Sequence, residues 1–515
     1  MKRITKFLSV IMTAVLSVTS FGACGSSVTY DEKTLYVAAI NKGYGIEWLD
    51  NMLKAYTEKT PGLSYELTPT YSDKQIKDDV DSGYGYCNYD LIFTGAINPA
   101  ESSKLADLTD IYEYTYTSGS RAGKTVAEAM EQTFLKSMTQ RLDDSNYKCL
   151  PWSGGFSGLL LNYTVINKTL GEGWENTYKL RTTNELLTFC EVLKQHNLSA
   201  FVHCSDTNQY GNMFKVWFAQ YNGVEKVKEY FQGQYTDELG QTSIGPEVAH
   251  NEGVLEAAKV GQAIFGGGYS HPKSNGRTWE FSQSMFMSGQ SAMYHNGDWF
   301  QNEMGKQYPN TDLRMIRTPM ISAKGTQLGI SEEQLIALID YVDAVNAGET
   351  PQKPAVSSIL GYSIDELIEK VKEARSYVAS LGNFFTTAVV EYNKKDLAKD
   401  FIKFMISDEG QKIYVDTLGL TMAYGYNLDK DYDNYANLGN FAKSRWAVAR
   451  STIYYMPDRS TKYGMAGLEP FKVITEAPLE VLLSNPSYGW TAEDIYEYDF
   501  TYHSEHWNVY EMYGA

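Results

Sequence analysis

Residues 34–96 alternate short apolar runs with an amphipathic helix, and this alternation limits the possible folds more than any other feature of the chain. TLYVAAI (34–40) reads as a buried strand followed by the loop NKGYG. IEWLDNMLKAYTEKTPG (46–62) places Leu49, Met52, Leu53 and Tyr56 at i, i+3, i+4 and i+7, which predicts a helix stopped by Pro61-Gly62. LSYELTP (63–69) and YDLIFTGA (89–96) predict two further strands. Strands separated by helices imply a mainly parallel sheet of βαβ units. Ligands of such sheets sit beyond the carboxyl ends of the strands. Here those ends carry Asn41-Lys42-Gly43-Tyr44, Tyr71 and Thr94-Gly95.

The pattern resumes further on. YKCLPWSGGFSGLLLNYTVINKTLG (147–171) reads as a strand, a Pro-Trp-Ser-Gly-Gly turn and a second strand, an extended and glycine-rich crossing between domains. TTNELLTFCEVLKQHN (182–197) and EGVLEAAKVGQAIF (252–265) predict helices; SAFVHCSD (199–206) and LRMIRTPM (313–320) predict strands. Residues 326–380 differ. Ser331…Gln334 and Ser363…Glu366 are capping boxes that open two amphipathic helices around a Pro/Gly-containing loop, so a helical hairpin is expected as an insertion. A strong amphipathic region follows at 396–419, and the stretch from Gly425 is rich in Tyr and Trp. No repeat shows at a fixed period. With 515 residues, 43% of them hydrophobic, the chain can bury a large core in two or three domains.

The N-terminus reads as an export signal. Lys2, Arg3 and Lys6 precede an apolar run, Phe7 to Val18, that is short for a bilayer span. SFGACGSS follows, and Gly22-Ala23 directly before Cys24 resembles the bacterial lipobox, with Phe21 in place of the usual aliphatic residue. Cleavage there makes Cys24 a lipidated N-terminus, and several acyl chains anchor a protein stably. Losing three cations takes the net charge from -18 to -21. A surface so acidic repels phosphate backbones, so nucleic acid is excluded as a partner. Cys87, Cys149, Cys190 and Cys204 allow three pairings, or none if they are buried thiols.

Six stretches in order resemble the family 1 extracellular solute-binding proteins of ATP-binding-cassette transporters, the maltose-binding-protein-like carbohydrate receptors. They are INKGYGIEWLDNMLKAYTEKTPG, YDLIFTGA, LADLTDIY (105–112), LLLNYTVINKTLG, MFMSGQSAMYHNGDWF (285–300) and NKKDLAKDFIKFMISDEGQ (393–411). The resemblance covers roughly residues 34–425 apart from 326–380, and loosely the rest. It implies an α/β, two-lobed periplasmic-binding-protein-like fold of type II. The expected organisation is a signal peptide (1–23), lipidated Cys24 and tether (24–33), lobe 1 (34–150), lobe 2 (151–325), the insertion (326–380), lobe 1 again (381–424) and lobe 2 again (425–515). It further implies a monomer at the cell surface, anchored to the outer face of the cytoplasmic membrane, that hands a carbohydrate to a permease without cofactor or catalysis.

In the family, the Trp of the Gly-x-Trp segment stacks on a sugar ring in the cleft; here that is Trp299. Aromatic rings suit the apolar face of a pyranose, and amides and carboxylates suit its hydroxyl rim. On these grounds Asp298 joins Trp299 as a candidate, with Trp152 at the crossing. Lys42, Tyr44, Glu47, Trp48, Thr94 and Gly95 are candidates near the first-lobe strand ends, as are Tyr210 in SDTNQYGNMF and Asn383 in LGNFF. No G-x-S-x-G, H-E-x-x-H or P-loop occurs. Asp429, Asp431 and Asp433 alternate as in a calcium loop, but the required Gly and Glu are Asn434 and Asn440. His503 and His506 supply two metal ligands, which do not make a site. Two rivals stand beside the sugar receptor: the same fold binding a polyamine, peptide or other solute, and a secreted glycan-active enzyme.

Overall fold

Thr34–Ile40 is a strand (β1) buried at its last four positions, and Glu47–Lys59 is a helix whose Trp48, Leu49, Met52, Leu53 and Tyr56 face the core. The computed structural model describes residues 31–83, 86–95, 103–132, 135, 147–236, 239–380, 385–455, 466–471 and 477–512. Two sheets organise them. The first contains β2 (Ser64–Thr70), β1, β3 (Leu91–Thr94), β12 (Thr386–Val389) and β4 (Leu150–Pro151), in that order. β1 runs parallel to both β2 and β3, as helical crossovers require. β12 and β4, where the chain leaves for or returns from the other lobe, pair antiparallel.

The second sheet has the order β13 (Ile453–Tyr455), β11 (Tyr377–Ser380), β5 (Phe156–Asn162), β9 (Ser291–Gly297), β6 (Ser199–Phe201), with β10 (Leu313–Ile316) sharing an edge of β5. β5 is buried at all seven positions because helices cover both faces. A small hairpin, β7 (Gln234–Thr236) with β8 (Thr242–Ile244), lies apart. Each sheet has its own core: Leu35, Val37, Trp48, Phe93, Trp152 and Phe401 belong to the first, and Leu159, Leu161, Phe189, Phe214, Trp217 and Phe265 to the second. The fold is thus two α/β lobes.

The chain crosses between them at 152–155, between β11 and β12, and after the helix Asp408–Leu418. At the first crossing a Cβ on Gly155 would lie 2.0 Å from the Tyr44 hydroxyl, so only glycine permits the lobes to approach there. Both capping boxes form, and helices Glu332–Asn346 and Ile364–Ser376 share a separate core of Leu335, Leu338, Ile339, Leu367 and Val371. The expected insertion is nevertheless too long: its residues 377–380 are β11, a strand of the second sheet. Periodicity found the helices but not the strand, because four buried residues after a helix carry no period of their own. Among the described residues no helix is long and apolar enough to cross a membrane. Cys87, Cys149, Cys190 and Cys204 are all buried, and Cys24 lies outside the described residues.

Candidate functional site

Between the lobes lies a cavity of about 900 Å³. The first lobe contributes its strand ends: Asn41-Lys42-Gly43 after β1, Tyr71 and Asp73 after β2, and Gly95 after β3. From the second come Ser157 at the start of β5, His295, Asn296 and Gly297 at the end of β9, Thr207, Gln209 and Asn212 beyond β6, and Trp279 and Gln283 of helix Trp279–Met287. Trp299, Asn302 and Glu303 close one side.

Trp299 is half-buried. Its ring lies against Gly43, where a Cβ would meet its Cγ at 2.9 Å, and against Gly297, where a Cβ would meet it at 2.4 Å. Tyr44 and Phe385 pack edge-on to it, each with centroids 5.7 Å away. Two glycines and two ring edges therefore fix the plane of an indole that lines the cavity. Asn302 Nδ2 donates to the Gly43 carbonyl at 2.9 Å and Lys306 pairs with Glu47 at 3.0 Å, so two contacts bridge the lobes beside it.

Asp73 is already committed, accepting from Thr94 Oγ1 at 2.8 Å and Gly95 N at 2.7 Å, with Lys42 Nζ at 3.4 Å. Glu303 is not: Gln283 Nε2 donates to it at 3.2 Å, and among the described residues no cation pairs with it. Burial pushes its carboxyl above the usual range. His295 is buried, which lowers its pKa to about 4 and leaves it neutral. Its Nδ1 lies 3.1 Å from the Gln209 carbonyl, which can only accept, so Nδ1 carries the hydrogen. Nε2 is then a bare acceptor, and neither it nor Ser157 Oγ has a hydrogen-bond partner among the described residues.

Of the residues singled out from the sequence, Lys42, Gly95 and Trp299 line this cavity. The others that lie among the described residues are placed elsewhere by their surroundings. Trp48 and Trp152 stack on one another in the first-lobe core, centroids 4.8 Å apart and planes 23° apart. Thr94 is buried and holds Asp73. Tyr210 is buried and donates to the Val202 carbonyl at 2.6 Å, while its neighbours Gln209 and Asn212 reach the cavity. Glu47 is on the surface, paired to Lys306. Tyr44 and Asp298 are buried at the crossing: the Tyr44 hydroxyl donates to Asp298 Oδ1, and Arg445 donates to Asp298 Oδ2 from Nε at 2.9 Å. Arg445 Nη2 also donates to the Gly154 carbonyl at 2.9 Å, so this pair ties the crossings together and does not face a ligand. Asn383 lies outside the described residues. Sequence reasoning missed Trp279, Gln283, His295 and Glu303. The available signal was the polar His295-Asn296 pair ending an otherwise apolar strand. His503 is buried against Tyr230 and Asp499 in the second lobe, away from this cavity.

The profile of the bacterial extracellular solute-binding proteins matches residues 51–440. No curated protein sequence matches. Among solved structures the chain is similar to a chitin oligosaccharide binding protein, at 15% identity over 92% of this chain and 98% of that one, TM-score 0.57. It is also similar to an ABC transporter solute binding protein of Thermotoga lettingae bound with α-D-tagatose, at 14% identity over 92% and 99%, TM-score 0.56. A third is the solute-binding protein RafE in complex with raffinose, at 12% identity over 92% and 99%, TM-score 0.55. At such identities the likeness establishes the fold.

Proposed function

The chain belongs to the bacterial extracellular solute-binding proteins, and we propose that within this family it captures a carbohydrate, an oligosaccharide, for an ATP-binding-cassette importer. The observation that carries this reading is the interlobe cavity: it joins the indoles of Trp299 and Trp279 to a rim of side-chain amides, the pairing a pyranose requires. Its volume of about 900 Å³ lies near the upper end for small-molecule sites and suits more than one sugar ring. The similar folds of the chitin oligosaccharide binding protein and of the proteins bound to raffinose and tagatose add support.

The mechanism proposed is closure of the lobes about the crossings, with a ligand that touches both lobes favouring the closed state. Lipidation of Cys24 would hold the loaded monomer at the outer face of the membrane and raise its effective concentration near the permease. Catalysis is not part of the proposal: of the two carboxylates among the described lining residues, Asp73 is engaged by Thr94, Gly95 and Lys42, so no pair of free acids is found among them.

Thermal unfolding of residues 25–515 against mono- and oligosaccharides, polyamines and peptides tests the reading. A ligand at a hundred times its dissociation constant adds about 2.7 kcal/mol, which raises the midpoint by a few degrees. A rise with one glycan class, lost in Trp299→Ala, is expected. A rise with spermidine or a peptide alone would replace the carbohydrate by that solute.

A further inference from the structure

Around Glu303 the second-lobe wall is biased toward hydrogen-bond acceptors. Asn302 Nδ2 donates to a carbonyl and Gln283 Nε2 to a carboxylate, so the orientation of both amides is fixed with their nitrogens turned to protein. Glu303 offers two carboxylate oxygens, and behind it neutral His295 keeps a buried Nε2 that has no donor among the described residues. In charge the cavity is equally one-sided. Lys42, the cation among its described lining residues, stands against Asp73, and nothing comparable stands against Glu303.

We propose that this wall rejects anionic ligands and that Glu303 enforces the rejection, so that the glycan bound here presents hydroxyls or amines to it and carries no carboxylate. The inference rests on the carbohydrate reading and narrows it. A ligand hydroxyl or ammonium gives Glu303 a donor beyond the one Gln283 supplies. A uronate brings a second negative charge beside Glu303, where like charges repel and no free cation answers among the described lining residues. Acceptors facing acceptors add a further loss, because each leaves a desolvated lone pair unpaired.

Calorimetric titration of residues 25–515 at physiological salt provides the test. The probes are cello-, xylo-, malto- and chito-trioses, trigalacturonate, and the fully C6-oxidised counterpart of each triose that has a C6 alcohol. Expected is binding of a neutral triose at least about tenfold tighter than its oxidised counterpart or trigalacturonate. Glu303→Gln should leave the unfolding midpoint in place and narrow the gap between the neutral triose and its oxidised counterpart, whatever it does to the neutral triose alone. Equal or tighter uronate binding by the unaltered chain overturns the inference while leaving a carbohydrate receptor. An unchanged gap in both Glu303→Gln and Glu303→Ala overturns the role of Glu303. Binding of no glycan at all removes the carbohydrate reading and this inference with it. The comparison within the unaltered chain decides the first point even where a variant fails to fold.

Discussion

Asp298 and Arg445 are the most informative pair to break. Their side chains are 0% and 1% exposed, with Asp298 Oδ2 2.8 Å from Arg445 Nη2. Replacing Asp298 by Ala leaves a guanidinium buried without a counter-charge and the Tyr44 hydroxyl without its acceptor. Removing one member of such a buried pair costs about 3–5 kcal/mol. That is a large share of the ~5–15 kcal/mol by which a folded protein exceeds its unfolded state. Arg445→Met strands Asp298 in the same way and falls in the same range. Removing both should cost far less than the sum, because neither charge is then left alone and Met fills the volume beside Phe156, whose ring lies 4.7 Å from the guanidinium. Urea unfolding of the four proteins gives the coupling directly. A coupling of several kcal/mol identifies the pair as a staple of the crossings. An Asp298→Ala chain with an unmoved unfolding midpoint but no ligand binding would refute this reasoning and return the carboxylate to the ligand.

Other outcomes follow from the same geometry. Trp299→Ala should weaken glycan binding by about 2 kcal/mol or more, as truncating a buried aromatic anchor does, with a smaller effect on the unfolding midpoint; titration calorimetry and thermal melts separate the two. Gly43 has φ +46° and its backbone touches Trp299, so Gly43→Ala should cost about 1–2 kcal/mol in backbone strain and lower affinity by tilting the indole; calorimetry and a crystal structure of the variant check both. Asp499 and Glu480 are buried, which raises each carboxyl to about 8 from ordinary values of 3.8 and 4.5. The folded state therefore holds protons that the unfolded chain releases, and stability should fall as pH rises from about 4 to about 8 and level off above. Urea midpoints across that window should show the decline, and Asp499→Asn should flatten it.

The helices and strands of the first lobe were legible because their signals are local. Leu49, Met52, Leu53 and Tyr56 share one face whatever surrounds them, and the capping boxes at Ser331 and Ser363 are closed within four residues. The order of elements was equally legible, and with it the two-lobed α/β fold. The strand ends at 41–43, 71 and 95 reached the cleft for the same reason: direction along a parallel sheet is set by connectivity. The end of the insertion was not legible, since β11 owes its strand conformation to β5 and β13 beside it.

Chain direction and periodicity are enough to place backbone: they say which loops border the cleft and that an indole follows Gly297 at its edge. Which side chains face that cleft was decided by contacts between residues far apart in the chain. Trp152 and Trp299 both stand near glycines, yet Trp152 meets Trp48 and Phe385 and is sealed into the core. Trp299 meets the bare backbone of Gly43 and lines the cavity. Asp298 was an equally plausible sugar contact until Arg445, 147 residues away, came within hydrogen-bond reach from the other side. A buried charge must find its partner before it can serve a ligand, and that partner is chosen by the packing of the lobes, which no local pattern encodes.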